Sequence, residues 1–126
     1  MGYTVGKAEF EKLVEEALAG VPPQFASMLE EVSIEIEDRP TAAQLKQLGL
    51  RPTDLLLGLY HGRPRTVRSV MDEMCLPDRI SIFQEHVQAA SHSRAQLIDQ
   101  VRKTVLHEIG HHFGLNEKDL DELGYG

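Results

Sequence analysis

The sequence predicts a single α+β domain spanning residues 1–126, and three observations carry that prediction. Hydrophobic periodicity gives the element order helix, strand, strand, strand, long helix, short helix. The 126 residues are 41% hydrophobic and 26% charged, the composition of one ordinary soluble domain. No internal repeat, low-complexity tract or linker divides them. At this size about two-thirds of the unfolded chain's surface is buried on folding, so a core forms without a metal or disulfide staple.

Phe10, Leu13, Val14, Ala17 and Leu18 recur at helical spacing with Glu9, Glu11, Lys12, Glu15 and Glu16 between them, which predicts a surface helix. Gly20, expected in the left-handed conformation, and Pro22-Pro23 should stop it. Phe25 to Leu29 suits a further helical turn. Val32, Ile34 and Ile36 alternate with Ser33, Glu35 and Glu37, a strand with one wet face. Thr41 caps a short helix through Leu48 that closes at Gly49. Leu55 to Tyr60 is a short apolar run bounded by turn residues, expected as a buried strand. Residues 62–78 carry Arg63, Arg65 and Arg68, two prolines and a Met71–Cys75 stretch that suits a turn of helix. Arg79 to Phe83 reads as another strand, followed by a polar segment.

Ser93-Arg94-Ala95-Gln96 has the form of a capping box and should open a long helix. On a helical wheel Leu97, Ile98, Val101, Val105, Leu106, Ile109 and Phe113 share one half, while Gln96, Asp99, Gln100, Lys103, His107 and His111 share the other. Gly114 ends that helix, and Asn116 with Asp119 caps a last short one that turns Leu120 and Leu123 inward.

Thirteen Lys and Arg against twenty Asp and Glu leave a net charge of −7, the wrong sign for a chain that neutralises many phosphates. Nucleic acid is therefore not expected as a partner. The lone Cys75 excludes an intramolecular disulfide, and the N-terminus leads into an acidic amphipathic stretch in place of an apolar signal region, so the expected compartment is the cytoplasm. No apolar run approaches the ~18 residues that span a bilayer, and no membrane partner is expected. Cys75 has neither a nearby histidine pattern nor a helix-start signal, which argues against a nucleophilic role.

Three of the six histidines fall between residues 107 and 112. In His107-Glu108-Ile109-Gly110-His111 the two outer imidazoles lie four residues apart on a helix, project the same way, and suit one Zn²⁺ at about 2.0–2.1 Å each. Glu108 is rotated by about 100° from His107, beside the metal, where it is placed as a general base. The alternative for this stretch is a solvated helix face that happens to hold two histidines. Its place on the polar edge of a capped helix, with Gly110 and Gly114 allowing close approach and a sharp turn, favours the metal.

A catalytic zinc usually takes a third protein ligand. No histidine lies beyond His112, so an oxygen ligand is needed: Glu117, three residues after the Gly114 turn, is the first candidate, with Asp119 and Asp121 in reserve. Glu117 also suits a first-turn acid favoured by the helix dipole. His112, on the apolar half, reads as a packed histidine; His61, His86 and His92 have no partner at ligand spacing and read as surface residues. Tyr60 or His61, at a strand end, is placed to donate to an oxyanion. The three arginines 63, 65 and 68 suit a solvated loop better than an acidic-substrate site.

His107 through His112-Phe-Gly-Leu-Asn-Glu117 resembles the zincin metallopeptidases, whose extended pattern is His-Glu-x-x-His-x-x-Gly-x-x followed by His or Asp. Together with Leu55–Gly62, Leu76–Ile80 and Leu120–Gly124, it resembles the bacterial minimal zincins, small metallopeptidases formerly grouped as a domain of unknown function. The resemblance covers about the last seventy residues. It implies a small mixed sheet packed on the long active-site helix with a short C-terminal helix, His107 and His111 as ligands, and Glu108 as base. The chain departs from that family at Glu117, where Asp is usual; one extra methylene moves the carboxylate by about 1.5 Å.

The function expected is that of a zinc metallopeptidase with one Zn²⁺ on His107, His111 and Glu117, Glu108 as catalytic base, and a peptide or protein substrate. The sheet edge, expected at Ile80–Phe83, would hold an extended peptide. Two other readings compete: a non-catalytic peptide-binding domain on the same scaffold, and a metal-dependent endoribonuclease, against which stand the charge, Glu108 and the missing third histidine.

Overall fold

The computed structural model describes residues 2–62 and 78–112 together with Lys118 and Glu122, and for Gln24, His111 and His112 it describes the backbone alone. The elements run α1 (Lys7–Ala19), α2 (Pro23–Leu29), β1 (Ser33–Glu37), α3 (Ala42–Gln47), β2 (Gly58–His61), β3 (Arg79–Phe83), α4 (Gln84–Ala89) and α5 (Arg94–His112). The three strands form one mixed sheet in the order β1-β3-β2, with β3 parallel to β1 and antiparallel to β2. This is a small α+β architecture whose sheet packs on the long helix α5.

The amphipathic stripe of α1 buries Phe10, Leu13, Val14 and Ala17 against the stripe of α5, where Leu97, Val101, Val105, Leu106 and Ile109 have no exposed surface. Ile80 and Ile82 of β3, with Phe25 and Val87, complete that core. Each such side chain contributes about 1.5–3 kcal/mol over its exposed state. Arg102 of α5 donates from Nε to the Ala17 carbonyl at 3.0 Å, satisfying one of the last carbonyls of α1. At the start of α5, Arg94 pairs with Glu16 of α1 at 2.7 Å.

Several expectations hold locally and several are corrected. Thr41 and Gln44 form a complete capping box on α3, and Gly49 follows it at φ 72°. Gly20, by contrast, has φ −96°, so no left-handed conformation requires glycine there; a Cβ would meet the Arg102 guanidinium, within 2.5 Å of Nη2. At α5, Ser93 Oγ accepts the Gln96 N–H at 3.1 Å, but Gln96 Oε1 accepts from His92 N–H at 2.7 Å, one residue before the position a capping box requires.

The apolar run 55–60 is a strand only from Gly58, and Leu55 is 51% exposed. The pairing ends where Phe83 N–H donates to the Leu57 carbonyl at 2.9 Å, because β3 there turns directly into α4 and, among the described residues, leaves Leu55 and Leu56 without a strand beside them. The polar segment after β3 is helix α4, whose buried face carries two glutamines. Gln88 Oε1 accepts the Val5 N–H at 3.0 Å and Gln84 Nε2 donates to the Val5 carbonyl at 3.1 Å, so amide side chains clamp the N-terminal segment beside the apolar packing of Tyr3 and Val5 on the core. The expected short C-terminal helix apart from Lys118 and Glu122, both helical, lies outside the described residues, as do Phe113 and the stretch 63–77 with its arginines and Cys75. Among the described residues, no helix is long and apolar enough to cross a membrane.

Candidate active site

α5 is continuous from Arg94 to His112, so His107 and His111 stand one turn apart on its last turns. His107 and Glu108 are half-buried, whereas Ile109 and Gly110 behind them are buried. Both line a groove of about 500 Å³ whose floor is the polar face of α5, through Gln100, Lys103 and Thr104, and whose opposite wall is Leu56, Leu57 and Gly58. Lys103 pairs with Asp99 at 3.3 Å, and Thr104 Oγ1 donates to the Gln100 carbonyl at 2.7 Å, the back-bond of a helical threonine.

Gly58 brings these two walls together. A Cβ there would lie 2.5 Å from Thr104 Cγ2 and 3.1 Å from the Ser81 carbonyl oxygen, so β2 rests on α5 with no room for a side chain. A glycine within the apolar run 55–60 was the sequence signal for this close approach. The sheet register then decides which backbone groups of β2 pair with β3. Leu57 accepts from Phe83, and in an antiparallel ladder hydrogen-bonded pairs alternate, so Leu59 and Ser81 form the next such pair while the N–H and C=O of Gly58 and Tyr60 face away from β3. β2 is an edge strand, and β3 is the central one. The expectation that Ile80–Phe83 offers the free edge is therefore corrected: both edges of β3 are occupied, and Ser81, polar but fully buried, belongs to a strand covered on both faces.

The other histidines divide by face. Alternation along β2 puts His61 on the face opposite Gly58, where its Nε2 lies 3.0 Å from Ser81 Oγ. Burial, and then the Arg79 guanidinium, hold His61 below its ordinary range, against the opposing pull of Glu37 and Glu35. This position removes His61 as an oxyanion donor. Tyr60 donates its hydroxyl to Asp78 Oδ2 at 2.9 Å, so its proton is already engaged. His86, read from sequence as a surface residue, instead accepts the Leu56 N–H on Nδ1 at 2.9 Å. Sequence reasoning had no signal for this contact, nor for Thr104 in the groove; Gln100 and Lys103 already share the His107 half of the helical wheel.

Of the proposed ligand set, the structure places His107 with Glu108 in the groove and His111 on the same helix; the side chain of His111, and Glu117, Asp119 and Asp121 altogether, lie outside the described residues. Among the described residues, no three His, Cys, Asp or Glu side chains gather as a metal site. The donors present nonetheless suit zinc: a half-buried imidazole in a groove, with a second histidine one turn on in an unbroken helix.

A family model of zincin-like metallopeptidases matches residues 29–126, from the end of α2 through the whole sheet and α5. The chain belongs to the zincin-like metallopeptidase family. This zincin-like chain also shares its fold with a solved structure, a conserved hypothetical protein from Thermus thermophilus, at 22% identity and a TM-score of 0.55, with 94% of this chain and 97% of that one covered. No functionally curated protein matches the zincin-like chain.

Proposed function

We propose that this zincin-like chain is a zinc-dependent metallopeptidase that hydrolyses peptide bonds in the groove between α5 and β2. The observation that carries the reading is the placement of His107 and Glu108 side by side in a groove whose other wall, Leu56 to Gly58, leads into β2, an edge strand among the described residues. His107, His111 and Glu117 would hold the ion. A zinc ion bound there supplies a Lewis acid for the scissile carbonyl and lowers the pKa of water to about 7.

The chain's own residues carry the remaining roles. The outward N–H and C=O of Gly58 would pair with the main chain of an extended peptide, laying it along β2 by strand addition. With Gly58 seated on Thr104, the peptide lies within reach of the α5 face that bears Glu108. The Glu108 carboxylate takes the proton of the attacking water and delivers it to the departing amine, so that one group serves as base and then acid. The partner is accordingly a peptide or protein in extended conformation.

Purified native protein, Glu108→Gln and His107→Ala test this after incubation with zinc, by metal content and by cleavage of a peptide library. The native chain should hold zinc and cleave. Glu108→Gln should keep the zinc and lose turnover by about 100-fold or more, and His107→Ala should lose both. A native protein that holds no zinc, or a Glu108→Gln protein that cleaves as well as native, sinks the proposal.

A further inference from the structure

We infer that His86 is a positioning residue for the substrate: by holding the Leu56 N–H it sets the wall of the groove along which the peptide lies. The inference rests on the peptidase reading, which supplies the peptide, but its basis is a separate contact. Leu56 and Leu57 line the groove ahead of Gly58. The strand ladder that holds Gly58–His61 stops at Leu57, because β3 has already turned into α4. The half-buried Leu56 amide is taken up by a side chain instead, His86 Nδ1 at 2.9 Å from 30 residues away.

The imidazole is itself well anchored. α4 is clamped on one side by Gln84 and Gln88 to Val5, and on the other the Glu85 N–H donates to the Asp38 carbonyl at 3.0 Å while the Glu85 carboxylate pairs with Arg39 at 3.0 Å. His86 therefore presents an acceptor from a fixed helix to Leu56, which has no strand beside it among the described residues. An imidazole nitrogen that accepts an amide N–H carries no proton, so the ring is the neutral Nε2–H tautomer. Without that acceptor, residues 55–57 are free to leave the line of β2, and a peptide must order them as it binds. The loss falls on peptide affinity. Proton transfer at Glu108, on a different element, is not touched.

Two substitutions separate acceptor from bulk. His86→Asn places an amide oxygen on Cγ, where Nδ1 was, and keeps the acceptor; His86→Leu keeps the volume without it. In the full zinc-loaded chain, amide hydrogen exchange at Leu56 should quicken at least tenfold in His86→Leu and remain near native in His86→Asn. KM for the best-cleaved library peptide should rise about tenfold in His86→Leu, with kcat within about twofold, and His86→Asn should restore it. Affinity for the same peptide, labelled with a fluorophore and measured on Glu108→Gln as background, gives the same comparison without turnover. Unchanged Leu56 exchange in His86→Leu, an equal affinity loss in both variants, or a loss confined to kcat overturns the inference. A Glu108→Gln protein as active as native overturns the peptidase reading instead, and leaves the exchange and affinity results to be judged by themselves.

Discussion

Each histidine of this chain takes its role from the face of the element that carries it. His107 shares the polar edge of α5 with Glu108, a placement legible from spacing because a helix repeats every 3.6 residues and the capping serine was recognisable. His61 and His86 were not legible, since their partners Ser81 and Leu56 lie 20 and 30 residues away. His61 also makes stability depend on pH. Its folded pKa is lowered, so as pH falls through the unfolded value of about 6.5 the unfolded chain takes up the proton first. This contribution is intact above that pH and is lost progressively as pH falls toward the folded pKa. Thermal melting between pH 7 and 5 should therefore show a smaller drop in Tm for His61→Gln than for the native chain, and the His61 ring protons should titrate with a midpoint below 6.5. Equal drops in the two proteins would remove His61 from the account.

At the scale of elements, α1, α3, β1, β3 and α5 follow hydrophobic period and caps, because each buries an apolar face or satisfies its own ends locally. α4 breaks that rule. Its buried Gln84 and Gln88 are satisfied by the backbone of Val5, a partner that no local pattern announces, and the segment therefore read as polar connection. β2 was overextended for a related reason: an apolar run does not say where its neighbour strand ends. The contact between β2 and α5 is testable at its tightest point. Gly58→Ala drives a methyl group onto Thr104 Cγ2 and should cost about 1–3 kcal/mol in denaturant unfolding. Thr104→Ser, which removes that methyl and keeps the hydroxyl, should recover a good part of the loss in the double variant, whereas strictly additive costs would show that the two positions do not press on each other.

For the molecule as a whole, the core and the groove are separate constructions. The buried cluster joins α1, α5 and β3, with the helix face that bears His107 turned away from it. If zinc serves chemistry, its removal should spare the fold. A chelator should abolish peptide hydrolysis while unfolding stays cooperative, with Tm lowered only by the lost binding energy, about 2.7 kcal/mol at a free-metal concentration of 100 times Kd. Collapse of the chain to an unfolded state on chelation would mean instead that the metal is structural.

The α+β class, the stripes of α1 and α5, the alternation of β1 and the side-by-side placement of His107 and Glu108 are all consequences of repeats a few residues long, and are legible along the chain. Packing of the elements on one another sets β3 at the centre of the sheet and β2 at its edge, seats Gly58 on Thr104, and brings His86 to Leu56. Strand order and cross-element hydrogen bonds join residues far apart in the chain. They are selected by which arrangement buries the core and pairs the backbone at once, a condition on the whole fold that no local period encodes.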